Sequence, residues 1–328
     1  MSMKLQQRVF DEVKRKIEST ANWACQLASL LCLTRDAVYR RERGEVLLNI
    51  DELELIITTY GIDAEDLFNL GSNNLRFRFV NINISHIERY KSYLEDIKSL
   101  LKQMYSAEKK EIIFCADDIP IFHFMGFPEL TYFKLYVWSQ SLKNINNALP
   151  FEDFVYEMKK YNLEALFYEI VELYKKVPSR EIWTKSTIDS TLILLEYYDQ
   201  IGSFSDPLTK RRLVEQLRSL IAGLQEWTLK ESKNGNVFFD LYLTPIDLGL
   251  SQMLCVFDGK YFASLKLYTI NSITTTDSRY IEDNINWMKA IMNKSSCLSR
   301  TSEKERVQFF KSMQDEVSLL QKKFSNSV

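Results

Sequence analysis

Apolar positions in the first seventy residues recur three or four apart, which is the spacing of one face of an amphipathic helix. Thr34 and Asp63 are each suited to an N-cap, because their side-chain oxygens accept hydrogen bonds from the free amides of a first turn. Five such runs begin at Leu5, Trp23, Thr34, Asp51 and Asp63. The pattern predicts five short helices packed into one all-α domain over residues 1–70.

The chain changes character after residue 70. Gly71 to Asn74 (GSNN) is typical of a linker, and we place this linker at residues 71–85, with a short alternating stretch of strand character inside it. Residues 86–328 then mix helical and strand periods, which predicts a mixed α/β region. The expected fold class is therefore a multi-domain chain, with an all-α domain followed by a mixed α/β region.

Run length and periodicity predict the elements of this second region. It opens with a helix over 86–106, started by the capping box of Ser85 and Glu88. The pair Asp258-Gly259 predicts a tight hairpin turn. Further helices are predicted at 151–175, 187–200, 207–230, 278–293 and 303–324. Strands are predicted at 111–115, 133–138, 236–243, 252–257 and 261–268.

An apolar stripe runs along helix 86–106 with alternating spacings of three and four, as in the a and d positions of a coiled coil. The stripe covers fewer than three heptads, which is short for an independent coiled coil. It either packs on its own domain or forms the seam of a homodimer, and both interpretations stay open at this stage. Its members are Ile87, Tyr90, Leu94, Ile97, Leu101 and Met104.

Composition and motif content limit the kinds of functional site that we expect in this chain. The 328 residues carry a net charge of −2, and five scattered cysteines without a CxxC pair favour reduced thiols over a zinc or disulfide framework. The two histidines, His86 and His123, have no neighbouring ligand at metal spacing. Because phosphate-loop, dinucleotide-binding and nucleophile motifs are also missing, we expect a cytoplasmic protein without membrane segment, metal or cofactor, and not an enzyme. The acidic pair Asp117-Asp118 is the feature that favours catalysis instead.

One continuous segment carries a family motif. The motif consists of apolar residues, one residue with a side-chain hydroxyl, a glutamate and a glycine at fixed spacing. In chain order its members are Leu27, Ala28, Leu31, Leu33, Thr34, Val38, Glu42 and Gly44. Apolar positions continue the motif at Ile50, Leu53, Ile57 and Ile62. Over residues 5–68 this pattern resembles the lambda-repressor/Cro-like (XRE-type) helix-turn-helix family. The resemblance implies that the helix beginning after Thr34 lies in the major groove of double-stranded DNA.

The resemblance also implies which side chains bind DNA. Arg41 and Arg43 are expected to reach phosphates, unless one of them pairs with Glu42. Trp23 stands where the family usually has a phosphate-contacting glutamine, and we expect Gln26 to replace that contact. The side chains expected to face base edges are Arg35, Asp36, Tyr39 and Arg40. With Thr34 at the start of the helix, the full expected set is Gln26, Thr34, Arg35, Asp36, Tyr39, Arg40, Arg41 and Arg43.

The function expected from the sequence is a sequence-specific DNA-binding transcriptional regulator. The large second region is expected to sense a small-molecule or protein effector or to hold a homodimer together. Residues 1–70 contain nine Lys and Arg against twelve Asp and Glu, a difference of −3, so DNA binding requires a local basic patch. Two alternatives remain: an oligomeric interaction module whose helix-turn-helix does not bind DNA, and an enzyme with a recruitment domain.

Overall fold

The computed structural model describes residues 5–17, 22–68, 75–82, 87–141, 149–268 and 270–326. The chain divides into two compact units, Met1–Leu75 and Arg76–Val328. This boundary falls inside the range 71–85 that was expected to be a linker. The part of that range from Arg76 onward belongs to the second unit, and residues 71–74 and 83–86 lie outside the described residues.

The first unit is helical. Its core contains the fully buried Val13, Leu27, Val38 and Ile56, contributed by four different helices. The helices are α1 (Leu5–Lys16), α2 (Trp23–Leu30), α3 (Arg35–Glu42), α4 (Ile50–Tyr60) and α5 (Ala64–Phe68). Every run predicted from apolar spacing is therefore a helix in the structure.

Side-chain caps set the ends of two of these helices. The Thr34 hydroxyl accepts a hydrogen bond from the amide of Ala37, which starts α3. Asn49 and Glu52 form a reciprocal capping box at the start of α4. Gly61 ends α4 with φ +57°, a left-handed conformation that glycine adopts without a steric penalty.

The second unit is built on a nine-stranded mixed sheet. Its strands are β1 (Arg78–Val80), β2 (Lys110–Ala116), β3 (Ser179–Trp183), β4 (Ser232–Lys233), β5 (Val237–Leu243), β6 (Gln252–Phe257), β7 (Lys260–Lys266), β8 (Ser272–Thr275) and β9 (Ser296–Cys297). They lie in the order β1-β8-β7-β6-β2-β3-β5-β4, with β9 beside β5. Strands β2, β3 and β5 run parallel, and the other pairings are antiparallel.

Helices cover both faces of this sheet. They are α6 (Ile87–Ser106), α7 (Ile121–Phe124), α8 (Pro128–Gln140), α9 (Phe151–Lys159), α10 (Leu163–Tyr174), α11 (Asp189–Gln200), α12 (Pro207–Lys230), α13 (Ser278–Asn293) and α14 (Glu303–Asn326). Successive strand residues face opposite sides, so Ile112 joins the larger core while Ile113 packs in a smaller one. The smaller core includes Met288 of α13.

The structure corrects two predicted elements and contains others that were not predicted, among them β3. The expected strand at 133–138 is wrong: it lies in α8, where Pro128 opens the helix and burial on nearly all sides removes the amphipathic period. The expected helix at 151–175 is interrupted between α9 and α10, where Asn162 has φ +50°. Strand β3 was not predicted, because charged residues interrupt its short apolar run. The hairpin at Asp258-Gly259 is confirmed, since both residues have positive φ between β6 and β7.

The apolar stripe predicted for helix 86–106 lies on α6 and packs in the larger core of the second unit. Tyr90, Leu94, Leu101 and Met104 are fully or almost fully buried in the larger core, and Ile97 packs against it partly buried. The helix contacts α10 and β2. The stripe therefore packs on its own domain, and the alternative of a dimer seam at this position is wrong.

A buried cluster of polar and charged side chains surrounds Glu181 of β3. The Glu181 carboxylate is fully buried and accepts hydrogen bonds from His123 Nε2 at 2.9 Å, Trp183 Nε1 at 2.8 Å and the Tyr174 hydroxyl. Lys233 is also fully buried, and its Nζ lies 3.4 Å from the centre of the Tyr174 ring. Burial opposes ionisation of Glu181, but His123, Tyr174 and Lys233 hold its pKa below the ordinary value.

Replacing Glu181→Gln is expected to lower the free energy of unfolding by about 3 kcal/mol or more, because it removes the carboxylate that accepts three buried hydrogen bonds and carries the charge opposite to Lys233. Since the pKa of Glu181 lies below its ordinary 4.5, its contribution is complete above that pH and declines as the pH falls. Urea unfolding at about pH 6 and about pH 4 measures both effects, and the variant should lose less stability between them than the wild type.

The exposed variant Glu157→Gln is the matched control, because Glu157 pairs with Lys160 on the surface. Equal stability of the two variants at about pH 6 would contradict a structural role for the buried cluster.

Candidate nucleic-acid interface

Two eight-residue helices, α2 and α3, form the framework of the predicted DNA-binding surface. Residues 31–34 join them, and Cys32 takes a left-handed conformation with φ +53° in this turn. The amide of Leu33 donates to the carbonyl of Ala28 at 2.8 Å, which closes the end of α2. Leu27 and Val38 are fully buried between the helices and the rest of the unit, so α3 is held with its opposite side toward solvent.

Seven of the eight expected DNA-binding residues are exposed: Gln26, Thr34, Arg35, Asp36, Tyr39, Arg40 and Arg43. For Tyr39, Arg40 and Arg43 the reason is helical periodicity, because residues one, two and five positions beyond the buried Val38 lie away from the buried side of the helix. Five of them belong to α3 or its C-cap and therefore form one continuous surface. The structure thus brings these five together on the solvent side of α3, where the Tyr39 ring also packs against the core residue Trp23.

Arg41 is the exception. It follows Val38 by three positions, which places it beside the buried face. Its side chain is only 15% exposed and binds Glu52 through Nη2 at 2.8 Å and Nε at 3.2 Å. Because Glu52 also caps α4, this pair fastens α3 to the start of α4. A phosphate contact by Arg41 would require this pair to open.

Glu42 follows Val38 by four positions and also lies beside the core. It pairs with Lys14 of α1, and not with Arg41 or Arg43 as the sequence alternative had it. Arg43 instead binds Glu45 at 2.6 Å, and Arg40 lies 3.5 Å from the same carboxylate. The hydrogen bond from Arg43 lowers the pKa of Glu45 on the surface of the unit.

The pairs with Glu45 leave the exposed guanidinium groups able to bind another anion. Surface ion pairs of this kind contribute only about 0–1 kcal/mol, because water and salt screen them. Among the described residues, no acidic side chain forms an ion pair with Arg35. Arg35, Arg40 and Arg43 therefore form a local basic patch within a unit whose overall balance is acidic.

Trp23 has a structural role in this surface. It is 8% exposed and packs edge-on against Phe10 at 6.0 Å and Tyr39 at 5.5 Å between ring centroids. The Lys14 ammonium group lies 4.8 Å from its ring centre. Trp23 therefore fixes the position of the Tyr39 ring, while Gln26 on α2 is exposed.

The second unit places the acidic pair in two different environments. Asp117 is exposed. Asp118 is 9% exposed and accepts hydrogen bonds from Lys134 Nζ at 2.9 Å and Lys266 Nζ at 3.2 Å. Burial opposes ionisation of Asp118, but the two lysines hold its pKa below the usual value. His123 binds buried Glu181, and His86 lies outside the described residues.

Two further findings bear on the chemistry of the chain. Across the described ranges, no group of three or more His, Cys, Asp or Glu side chains is arranged to hold a metal ion. In the same part of the chain, none of the helices combines the length and apolar character needed to cross a membrane.

A cavity of about 440 Å³ lies between the sheet of the second unit and its covering helices. Sequence reasoning did not predict it. A sequence pattern that could have indicated the cavity is the alternation along β7, which places Phe262, Ser264 and Lys266 on one face of the strand. Helix α6 supplies the opposite wall through Tyr93 and Ile97 of the apolar stripe.

Replacing Arg41→Ala is expected to destabilise the first unit by about 1 kcal/mol or more, because it removes two charge-assisted hydrogen bonds that are largely shielded from water. Hydrogen exchange of the full chain, followed by mass spectrometry, should show faster exchange in peptides from α3 and α4. The matched variant Arg40→Ala, whose side chain is 53% exposed, should leave exchange nearly unchanged. Equal exchange in both variants would show that the pair with Glu52 does not hold α3.

We compared the chain with models of protein families, with curated proteins and with solved structures, and it matches none of them.

Proposed function

We propose that the first unit is a helix-turn-helix domain of the lambda-repressor type and that the chain regulates transcription by binding double-stranded DNA. One observation carries the proposal: α3 is fixed by its buried side while Arg35, Asp36, Tyr39 and Arg40 are exposed together on the other. An exposed recognition helix held by a preceding helix is what this mode of DNA binding requires.

The exposed residues are suited to two tasks. Arg35 and Arg40 carry planar guanidinium groups that bind guanine O6 and N7 in bidentate fashion, worth about 1–3 kcal/mol of discrimination for each base pair. The Tyr39 hydroxyl donates or accepts a single hydrogen bond at a neighbouring base edge, and the Asp36 carboxylate accepts one. The flanking Gln26, Thr34 and Arg43 are positioned at the ends of this surface and contact phosphates, which fixes the register of the helix on DNA.

The second unit acts as the sensing or oligomerisation part in this proposal. Its 253 residues, from Arg76 to Val328, exceed what a DNA reader needs. A homodimer would read two half-sites about one helical turn apart, as two-fold symmetric operators require. Because the stripe on α6 is buried, the contact between two copies must use a different surface.

Selection of duplexes from a random pool by the full-length protein should yield a defined sequence. With that duplex, Arg35→Ala and Arg40→Ala are each expected to weaken binding about tenfold and to relax preference at one base position. Arg43→Ala is expected to reduce the slope of log affinity against log salt by about 1, with preference unchanged. Fluorescence anisotropy at several stated salt concentrations measures all three.

The double variant Arg211→Ala with Arg212→Ala is the matched control, because both residues are exposed arginines of the second unit. It should bind as the wild type does. If no sequence is enriched, or if the control weakens binding as much as the α3 variants do, the proposal is contradicted. A stable oligomer without DNA binding would favour the interaction module instead.

A further inference from the structure

The cavity of the second unit has walls of unequal polarity. Its floor is one face of the sheet, where Phe114, Met253 and Phe262 belong to three adjacent strands. Its roof is α6, through Tyr93, Ile97 and Leu100. At the end where β7 stops, the lining changes to Lys266, Asp118 and Lys134. Such a shape offers an apolar compartment with one charged end.

The charged end holds one carboxylate between two ammonium groups. Asp118 is bound by Lys134 and Lys266, so one carboxylate is shared by two lysines, a formal excess of one positive charge. Burial lowers the pKa of Lys134, so the more exposed Lys266 is the lysine that an anion can reach in its charged form. Lys134 is 2% exposed, and Lys266 keeps 35% of its side chain exposed. The other charged side chains of the lining, Arg78 and Asp96, are opposite in sign and both exposed. Asp117 lines an adjoining cleft, where solvent screens it.

A second observation concerns Tyr90, which lines the same cavity. Its side chain is fully buried, and its hydroxyl has no hydrogen-bond partner among the described residues. Buried polar groups are almost always hydrogen-bonded, because leaving one without a partner is costly. Among the described residues, the Tyr90 hydroxyl has no hydrogen-bond partner, and the ion pairs of Lys134 and Lys266 share the single carboxylate of Asp118, so both features favour a ligand that brings polar atoms.

We propose that this cavity binds a small amphipathic carboxylate, with its apolar body between the sheet and α6 and its carboxylate on Lys266. The charge sign follows from the two lysines, and the apolar body follows from the aromatic and aliphatic walls. A volume of about 440 Å³ lies within the range of small-molecule sites. Use of the cavity as an effector site rests on the function proposed above, whereas the binding itself does not.

Isothermal titration of the full chain without DNA tests the proposal. The probes are decanoate and 4-phenylbutyrate, each compared with its own alcohol, decanol or 4-phenylbutanol. At least one acid is expected to bind once per chain and roughly tenfold or more tighter than its alcohol, because only the acid makes a charge-assisted contact. Binding of neither acid, or equal binding of acid and alcohol, would overturn the proposal.

Variants then locate the site. Lys266→Met keeps the length of the side chain, and it should weaken the acid about tenfold and leave the alcohol unchanged. The matched control Lys260→Met lies on the same strand outside the cavity and should change neither. Ser264→Leu places a larger side chain inside the cavity and should abolish binding of both. Because DNA is absent, failure here is separate from failure of the proposed function; wild-type acid affinity in Lys266→Met would overturn the assignment of the carboxylate.

Discussion

Burial of Val38 is the constraint from which the surface of the first unit follows. This side chain has no exposed area and packs in one cluster with Leu27 and Ile56. Complete burial of a valine stabilises by about 1.5 kcal/mol or more, and it also sets the rotation of α3 about its axis. Every side chain of the helix then has a fixed direction. Arg41 and Glu42 lie beside the core, while the other charged residues of the helix face solvent.

The separation of core-side and solvent-facing charges on α3 explains how a unit with an acidic balance presents a basic surface. Glu42 and Glu52 are engaged by Lys14 and Arg41 beside the core, so these carboxylates stabilise the packing of α3. The outward-facing Arg40 and Arg43 pair with the exposed Glu45, and no ion pair of Arg35 occurs among the described residues. Local placement of charge, and not the sum over the unit, therefore determines the sign of the surface that an anion meets.

The sequence predicted elements correctly where one face of the element is buried and the other is exposed to solvent. All five helices of the first unit, the long helix α12 and the hairpin at Asp258-Gly259 follow from period and turn chemistry. Prediction failed where burial is uniform, as in α8, because a helix with apolar residues on nearly all sides has no period to detect. It also failed at β3, where Glu181 is charged in sequence but buried in the fold.

The candidate site likewise contains features that the sequence could predict and features that it could not. Exposure of Asp36, Tyr39 and Arg40 could be predicted from helical period around the buried Val38, whereas Arg35, three positions before Val38, is exposed at the first position of the helix. The partner of Arg41 could not, since it lies on another helix eleven positions away. The cavity of the second unit depends on side chains from strands distant in sequence, such as Phe114 and Phe262, which only the paired sheet brings together.

Contact between DNA and the outward side of α3 can be tested by hydrogen exchange of the full chain, with and without a duplex that the protein itself has selected. We expect slower exchange in peptides covering residues 26–43 once the duplex is bound, and no comparable slowing in α13 or α14. Protection confined to the second unit, or none in the first, would contradict this contact.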